Sequence, residues 1–170
     1  MNHRPVTVLG ASGFIGRHLV ARLRADGVAC DAPPRQDAGL FSRPLGHVIY
    51  AIGLTSDFRS RPLDTVEAHV CLLRSLLAHG DFDSLTYLSS TRVYSGAVST
   101  REDAALRVNP NDPSDLYNLS KLMGESLCLH GGRPAKVARL SNIVGLRDTP
   151  DSFIDQLLEE IGRAPCRERV

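Results

Sequence analysis

The hydrophobic pattern begins with a short apolar run that is followed at once by glycines. Residues 6–9, read V-T-V-L, are rich in β-branched and aliphatic side chains and predict a buried strand. Gly10 to Gly13 predicts a sharp turn, after which apolar residues recur at helical spacing, at Ile15, Leu19 and Leu23. Gly27 is the expected end of that helix. The start of the chain therefore predicts a strand, a glycine turn and an amphipathic helix.

The rest of the chain alternates strand-like and helix-like segments. Short apolar runs predict further strands over 28–32, 47–52, 85–89 and 136–140. Helical spacing predicts one helix that ends at Gly80, with Val66, Val70, Leu73 and Leu77 on one face. A second helix is expected from Ser114 or Asp115 to about His130, and a last one after the capping pair Ser152 and Asp155. Strands alternating with helices predict an α/β fold with a doubly wound parallel sheet of the Rossmann type.

The glycines of the first turn suit the binding of a phosphate group. Gly10 permits the tight turn, Gly13 lets backbone N–H groups approach a pyrophosphate, and Gly16 lets the helix lie close to the sheet. The helix N-terminus adds roughly half a positive charge at the same place. A turn with a purely structural purpose would carry the same G-x-x-G-x-x-G spacing. Its position at the carboxyl end of the first strand favours a nucleotide site.

The amino-acid composition limits the classes of binding partner that are expected. The 20 Lys and Arg residues against 19 Asp and Glu give a net charge of +1 without any basic run, so neither nucleic acid nor an anionic membrane is expected as a partner. The longest apolar run, 48–54, is too short to span a bilayer, and the start lacks the apolar region of a signal peptide, so a cytoplasmic protein is expected. No metal site is expected, because the cysteines lack metal-ligand spacing: Cys30, Cys71, Cys128 and Cys166.

The last eleven residues, E-I-G-R-A-P-C-R-E-R-V, resemble the translation of a sequencing adapter rather than a protein. We therefore expect one dinucleotide-binding domain with the start of a substrate region over 1–159, and a non-native tail over 160–170. On this view the sheet is incomplete at the C-terminus. The residues that select the substrate would lie beyond the end of the chain, and the fragment itself is expected to be inactive.

Candidate chemistry lies in the segment predicted to be the helix over 114–130. Tyr117 and Lys121 form Y-x-x-x-K, so both side chains project from one face a single turn apart. Use of a tyrosine as a base near neutral pH requires its pKa to fall by roughly 3 units, about 4 kcal/mol, and a nearby ammonium group can supply part of that shift. Ser89, Ser90 and Thr91 end the fourth predicted strand, at the same sheet edge as the glycine turn.

Taken together, these segments resemble the extended short-chain dehydrogenases/reductases, in the NAD-dependent sugar-nucleotide epimerase/dehydratase family. The motifs that carry the resemblance occur in family order: G-A-S-G-F-I-G at 10–16, V-I-Y-A-I-G-L at 48–54, L-S-S-T-R-V-Y at 88–94, Y-N-L-S-K at 117–121 and R-L-S-N-I-V-G at 139–145. They cover nearly all of the chain before its unusual tail.

The resemblance implies a role for each matching position. Ser90 takes the catalytic hydroxyl, Tyr117 the base, and Lys121 its partner, which also binds the nicotinamide ribose. The implied cofactor contacts are Gly10, Ser12, Gly13, Phe14, Ile15, Gly16, Ala51, Ile52, Gly53 and Ser141, and the implied substrate contacts are Ser90 and Asn142. The implied reaction removes a sugar hydroxyl proton with the Tyr117 phenolate while hydride passes to NAD or NADP. An epimerase would then return the hydride to the other face.

Cofactor choice is expected to depend on the end of the second strand. Arg35 lies one residue after the position where the family carries an acidic residue for the ribose, and Asp31 lies three residues before it. Because an arginine suits a 2′-phosphate, the sequence favours NADP over NAD. A solvated Arg35 is the alternative.

Three departures from the family pattern qualify the expected function. Thr91-Arg92 replaces the Asp-Glu pair of the dehydratases, which argues against elimination. His69 stands where the family usually has Asn, and a structural histidine is expected there rather than a catalytic one. The segment over 35–46 is too short for the usual strand and helix.

The expected function is thus that of an NAD(P)-dependent oxidoreductase or epimerase acting on a nucleotide-sugar hydroxyl, with a homodimer expected for the full-length protein. An NADP-dependent ketone or aldehyde reductase is the second possibility. A non-catalytic NAD(P)-binding regulator is the third, although the intact Ser90, Tyr117 and Lys121 favour an enzyme.

Overall fold

The computed structural model describes residues 4–54 and 57–143. Its strands are β1 Val6–Leu9, β2 Cys30–Asp31, β3 His47–Tyr50, β4 Ser84–Ser90 and β5 Ala135–Leu140. Its α-helices are α1 Phe14–Ala25, α2 Pro62–Val66, α3 Leu72–His79 and α4 Asp115–His130. A π-helical segment, Glu67–Cys71, joins α2 to α3, and a 3₁₀ helix, Thr91–Tyr94, follows β4.

The five described strands form one parallel sheet in the order β2-β1-β3-β4-β5. The register pairs Val6 with both Cys30 and His47, and pairs Leu85 with Ala135. Because β1 leads to β2 on one side and β3 lies on its other side, right-handed crossovers place α1 on one face and the later helices on the opposite face. The α/β, doubly wound architecture is therefore confirmed.

Most of the hydrophobic core lies between the sheet and α3 and α4. Successive residues of β4 alternate between half-buried and buried, with Leu85 and Tyr87 fully buried. The Tyr87 ring packs against Tyr50 of β3, with ring centroids 5.8 Å apart. Apolar residues of α3 complete this cluster, namely Leu73, Leu76 and Leu77. A second, smaller cluster at the carboxyl edge contains Leu54, Phe58, Ala68 and Tyr117.

The strand bounds differ from the predicted ones in ways that have simple causes. β2 has two residues rather than five, since the Val28 N–H donates to the Leu23 carbonyl of α1 at 2.9 Å at one end, and Pro33 and Pro34, which cannot donate ladder hydrogen bonds, follow at the other. β3 ends at Tyr50 rather than Ile52, although the Ala51 N–H still donates to the Leu9 carbonyl at 2.9 Å. Residues 32–46 form turns without a helix or a regular strand, as predicted from their length.

The helix predicted to end at Gly80 contains an unexpected π-helical turn. The buried residues of its N-terminal half are Thr65, Ala68 and His69, whereas the predicted Val66 and Val70 are only half-buried. Polar Thr65 and His69 thus occupy the innermost positions of this segment, and the two valines contribute to its buried face only in part.

α4 begins at Asp115 and ends at His130, as predicted. Ser114 precedes it without a capping hydrogen bond from its side chain. The helix approaches β4 closely at Gly124, where an added Cβ would lie 2.5 Å from the Tyr87 hydroxyl oxygen. The expected last helix, with Ser152 and Asp155, and the expected boundary between 159 and 160 lie outside the described residues.

Candidate active site

The carboxyl ends of the parallel strands bring most of the predicted site positions to one edge. The glycine turn follows β1 and residues 51–53 follow β3, on the two sides of the point where strand order reverses. In open α/β sheets, ligands bind in the crevice outside such a switch point. Ser90 ends β4, and Ser141 and Asn142 follow β5 at the same edge.

The glycine turn packs directly on the chain that leaves β3. Gly10 has φ +85°, and a Cβ there would lie 2.8 Å from the Ala51 carbonyl carbon. A Cβ on Gly16 would overlap the Gly10 carbonyl oxygen, so α1 can start only this close to the turn without a side chain. Ser12 and Gly13 are exposed, while Phe14 and Ile15 are half-buried. The exposure of Ser12 and Gly13 leaves the outer surface of the turn accessible, which fits a pyrophosphate.

Tyr117 is buried in the first turn of α4, with a relative exposure of 6%. Burial raises its pKa, whereas a hydrogen bond with the Ser90 side chain and the charge of Arg92 lower it, and the balance lies above the ordinary value. Ser90 is itself oriented, because its hydroxyl oxygen accepts a hydrogen bond from the Arg92 N–H at 3.2 Å. The structure thus joins two of the predicted catalytic residues, Ser90 and Tyr117.

Lys121 lies one turn further along α4 and is 4% exposed. Its ammonium group donates to the Leu88 carbonyl at 3.0 Å and lies 6.0 Å from the Tyr117 ring centroid. Burial lowers the pKa of Lys121 to about 8, against a smaller raising effect of Glu125. Gly53 is its neighbour, since a Cβ there would lie 3.4 Å from the Lys121 nitrogen. The structure therefore joins Lys121 to the chain that leaves β3 as well as to Tyr117.

Sequence reasoning did not predict the role of Arg92 beside the tyrosine. Its guanidinium carbon lies 5.6 Å from the Tyr117 ring centroid and 5.2 Å from that of Phe58. Arg59 contacts the same Phe58 ring at 4.5 Å. The available signal was Arg92 itself, which replaces an acidic residue two positions after Ser90. Arg92 is thus a second cation beside the Tyr117 ring, slightly closer to its centroid than the Lys121 nitrogen at 6.0 Å.

A buried ion pair supports the site from behind. Glu125 follows Lys121 by one turn of α4 and pairs with Arg139 of β5 at 2.7 Å. The Ser89 hydroxyl donates to the same carboxylate at 2.5 Å. Arg139 also donates to the Tyr94 hydroxyl at 2.6 Å. The pair ties α4 to the ends of β4 and β5, and no sequence spacing indicates it.

The end of β2 carries charge that is partly neutralised. Arg43 pairs with Asp31 at 3.2 Å and with Asp37 at 2.6 Å. Arg35 is exposed and forms no ion pair within the described part of the chain. The structure does not bring Arg35 into contact with the glycine turn. Sequence reasoning did not identify Arg43, a second cation close to the end of β2.

Two further predicted positions, Ser141 and Asn142, are exposed after β5. Within residues 4–54 and 57–143, no group of three or more His, Cys, Asp or Glu side chains could hold a metal ion. None of the helices in these same ranges has the length and apolar character that a bilayer crossing requires.

Comparison with known proteins gives one family for most of the chain. Residues 39–168 match the model of the NAD dependent epimerase/dehydratase family. The GDP-6-deoxy-D-mannose reductase of Pseudomonas aeruginosa is 33% identical over an alignment of 171 residues, which covers 86% of this chain and 54% of that protein. The chain thus spans about half the length of this curated relative.

Solved structures give the same architecture. RMD from Pseudomonas aeruginosa, complexed with NADPH, superimposes with a TM-score of 0.71 at 28% identity, covering 94% of this chain and 62% of that one. The UDP-glucuronic acid 4-epimerase from Bacillus cereus, in complex with NAD, gives a TM-score of 0.72 at 22% identity, covering 92% and 63%. The second likeness shows the fold alone.

Proposed function

The chain belongs to the NAD dependent epimerase/dehydratase family, and from this premise we propose that it is the dinucleotide-binding part of an enzyme that transfers hydride to or from a nucleotide sugar. The observation that carries the proposal is the meeting of the Ser90 and Tyr117 side chains at the carboxyl edge, with Lys121 one turn away and the glycine turn on the same edge. The chain covers about half of its curated relative, so we propose the activity for the whole protein rather than for these residues alone.

The cofactor has a suitable place at the switch point between β1 and β3. Gly10, Gly13 and the first turn of α1 would hold the pyrophosphate through backbone N–H groups. Residues 51–53 and Lys121 would line the nicotinamide ribose, and Ser141 would contact the nicotinamide. When bound, the nicotinamide supplies hydride exchange with the substrate carbon. The exposure of Ser12 and Gly13 and the close packing of Gly10 on Ala51 support this fit.

Tyr117 would move the proton. In the chain as it stands, its raised pKa keeps the phenol protonated at neutral pH. A protonated Tyr117 is suited to donate its proton to the oxygen of a carbonyl group that Ser90 also hydrogen-bonds. Removal of a hydroxyl proton, the reverse step, would need further stabilisation of the phenolate, for which Arg92 at 5.6 Å from the ring centroid is the nearest described cation over that ring.

Reduction of a ketone is the direction that we take as the first step. This agrees with the relative that is a GDP-6-deoxy-D-mannose reductase and with the NADPH in the RMD structure. We take a keto nucleotide sugar as the substrate class and NADP as the preferred cofactor, with Arg35 as its 2′-phosphate contact. Asn142 would face the substrate diphosphate. An epimerase on the same residues is the second candidate, which the family name supports.

Lys121 would bind rather than react. Its ammonium group is directed to the Leu88 carbonyl and lies near Gly53, so it borders the expected ribose position. With a pKa of about 8, it is mostly cationic at neutral pH. Its part in the reaction is to hold the ribose and to add positive charge beside Tyr117.

A matched pair of variants tests the proposal. NADPH binding is titrated by fluorescence in the 170-residue chain, with Tyr117→Phe and Lys121→Met alongside. Tyr117→Phe should change affinity less than about twofold, whereas Lys121→Met should weaken it about tenfold through a lost charge-assisted hydrogen bond. In a version extended to the length of its relatives, Tyr117→Phe should lower turnover about 10²-fold. Equal binding by all three chains, or near-normal turnover without Tyr117, would contradict the assigned roles.

A further inference from the structure

His69 is a polar residue at the centre of the carboxyl-edge cluster. It lies in the π-helical segment between α2 and α3 and has no solvent exposure. A π turn inserts one extra residue into a helix and often occurs beside a functional site. Its ring meets α4 at Tyr117, edge to face, with centroids 5.3 Å apart and an interplanar angle of 89°.

Both ring nitrogens of His69 have hydrogen-bonding partners on different elements. The Leu54 N–H donates to Nε2 at 3.2 Å, which makes Nε2 an acceptor. Nδ1 lies 2.8 Å from the Ser120 hydroxyl, and that hydroxyl donates to the Tyr117 carbonyl at 2.9 Å. The proton of a neutral ring must then be on Nδ1, where it is donated to Ser120. The bonds run in one direction from His69 to the backbone of Tyr117.

The charges around the ring keep it in this form. Burial and the nearby Lys121 charge lower the pKa of His69 to about 3, against a smaller raising effect of the Leu54 bond. The other titratable groups that pack against it are Tyr117 of α4 and Tyr87 of β4, whose hydroxyl donates to the His69 carbonyl at 3.3 Å. Protonation would require Nε2 to give up its bond from Leu54. Burial and the Lys121 charge thus favour the neutral ring at neutral pH.

These hydrogen bonds connect two parts of the proposed active site, in addition to the packing of Leu54 with Tyr117 and the approach of Lys121 to Gly53. Leu54 ends the chain that leaves β3 along the cofactor position, and a Cβ on Gly53 would lie 3.1 Å from Nε2. We propose that His69 is a positioning residue that holds residues 53–54 and the Tyr117 turn of α4 at a fixed separation. The role rests on the proposed function, because it matters only if the cofactor and Tyr117 act together.

Three variants separate this role from simple packing. His69→Asn keeps one acceptor and one donor on the side chain, so it is the conservative replacement. His69→Phe keeps an aromatic ring against Tyr117 and removes both hydrogen-bonding atoms. Ser120→Ala cuts only the link to the Tyr117 backbone and is small enough to leave the fold intact. Circular dichroism and thermal melts establish that each variant is folded.

The first readout is the ring itself. Long-range ¹H–¹⁵N NMR of the 170-residue chain should show His69 protonated on Nδ1 alone, without titration from about pH 5 to 8. The signal is assigned by its loss in His69→Asn. A proton on Nε2, or titration near the ordinary histidine pKa, would overturn the proposal. This readout tests the His69 proposal without cofactor binding. A chain that binds neither NADH nor NADPH would count against the proposed function, and the NMR result would still decide the state of the ring.

The second readout is the site. His69→Phe should weaken NADPH binding about tenfold, speed Leu54 amide exchange about tenfold, and shift the phenol titration of Tyr117, identified by comparison with Tyr117→Phe. His69→Asn should restore binding to within about threefold. If His69→Phe does not fold, Ser120→Ala takes its place and should shift the Tyr117 titration while leaving Leu54 exchange slow. Wild-type binding and a wild-type Tyr117 titration in the folded variant would overturn the positioning role.

Discussion

The buried ion pair between Glu125 and Arg139 makes a quantitative prediction. The side chains are 3% and 16% exposed, and the closest N–O distance is 2.7 Å. Arg139→Met fills similar volume but leaves the Glu125 carboxylate buried with Ser89 as its remaining hydrogen-bond donor. Removal of one partner from a buried pair costs about 3–5 kcal/mol. We expect the lower end, about 3 kcal/mol, because Arg139 is partly exposed and the Ser89 bond remains.

Urea unfolding at neutral pH, followed by far-ultraviolet circular dichroism, measures this loss. A loss of about 3 kcal/mol should lower the urea midpoint by between about 1 and 3 M at an unchanged slope. It should lower the melting temperature by roughly 6–12 °C. The exposed pair of Arg22 and Asp26, at 79% and 48% exposure, provides the matched control. Arg22→Met should cost no more than about 0.5 kcal/mol.

A double variant tests the cause of the loss. Glu125→Gln combined with Arg139→Met removes the uncompensated charge, so it should be more stable than Arg139→Met alone. The reasoning is refuted if Arg139→Met costs less than about 1 kcal/mol, or if the double variant is no more stable than the single one.

Two further predictions concern the charges of the site. Lys121→Met should raise the melting temperature at pH 7 because it removes a buried cation. The pKa of Lys121 is about 8 in the folded chain, below its value in the unfolded chain, so wild-type stability should rise from about pH 8 to 10. Thermal melts across this range should therefore show a narrowing difference in melting temperature between Lys121→Met and the wild type. A gap independent of pH would contradict the buried-cation explanation. Arg35→Ala should weaken NADPH binding about tenfold and leave NADH binding unchanged, as measured by calorimetric titration with Arg22→Ala as a distant control. Unchanged NADPH affinity would remove Arg35 from the site.

Local patterns were sufficient to predict the elements that carry the proposed chemistry. β1, α1 and α4 were predicted because apolar spacing and turn residues agree there, and α4 begins and ends where expected. The meeting of Ser90 with Tyr117 follows from strands whose carboxyl ends share one edge. β2 is shorter than predicted because Val28 still bonds to α1, a contact that apolar spacing does not indicate.

The remaining features depend on contacts between distant residues. A π turn leaves apolar spacing ambiguous, and its inner face carries Thr65 and His69, which hydropathy assigns to the surface. The hydrogen bonds of His69 reach residues 15 and 51 positions away. The pair of Glu125 and Arg139 joins a helix to a strand, so no periodicity within either element indicates it.

The close approach of α4 to β4 at Gly124 has a consequence for how this site can vary. A methyl group at Gly124 would lie 2.5 Å from the Tyr87 hydroxyl oxygen and 2.6 Å from its ring carbon, so loss of the hydroxyl group alone would not make room for it. Any larger side chain must push the helix away from the sheet by about an ångström, and Lys121 and Tyr117 would move with it. The separation between the reacting side chains and the sheet is thus set by Gly124, a residue outside the proposed substrate site. A side chain at position 124 would therefore require a smaller residue at position 87 as well.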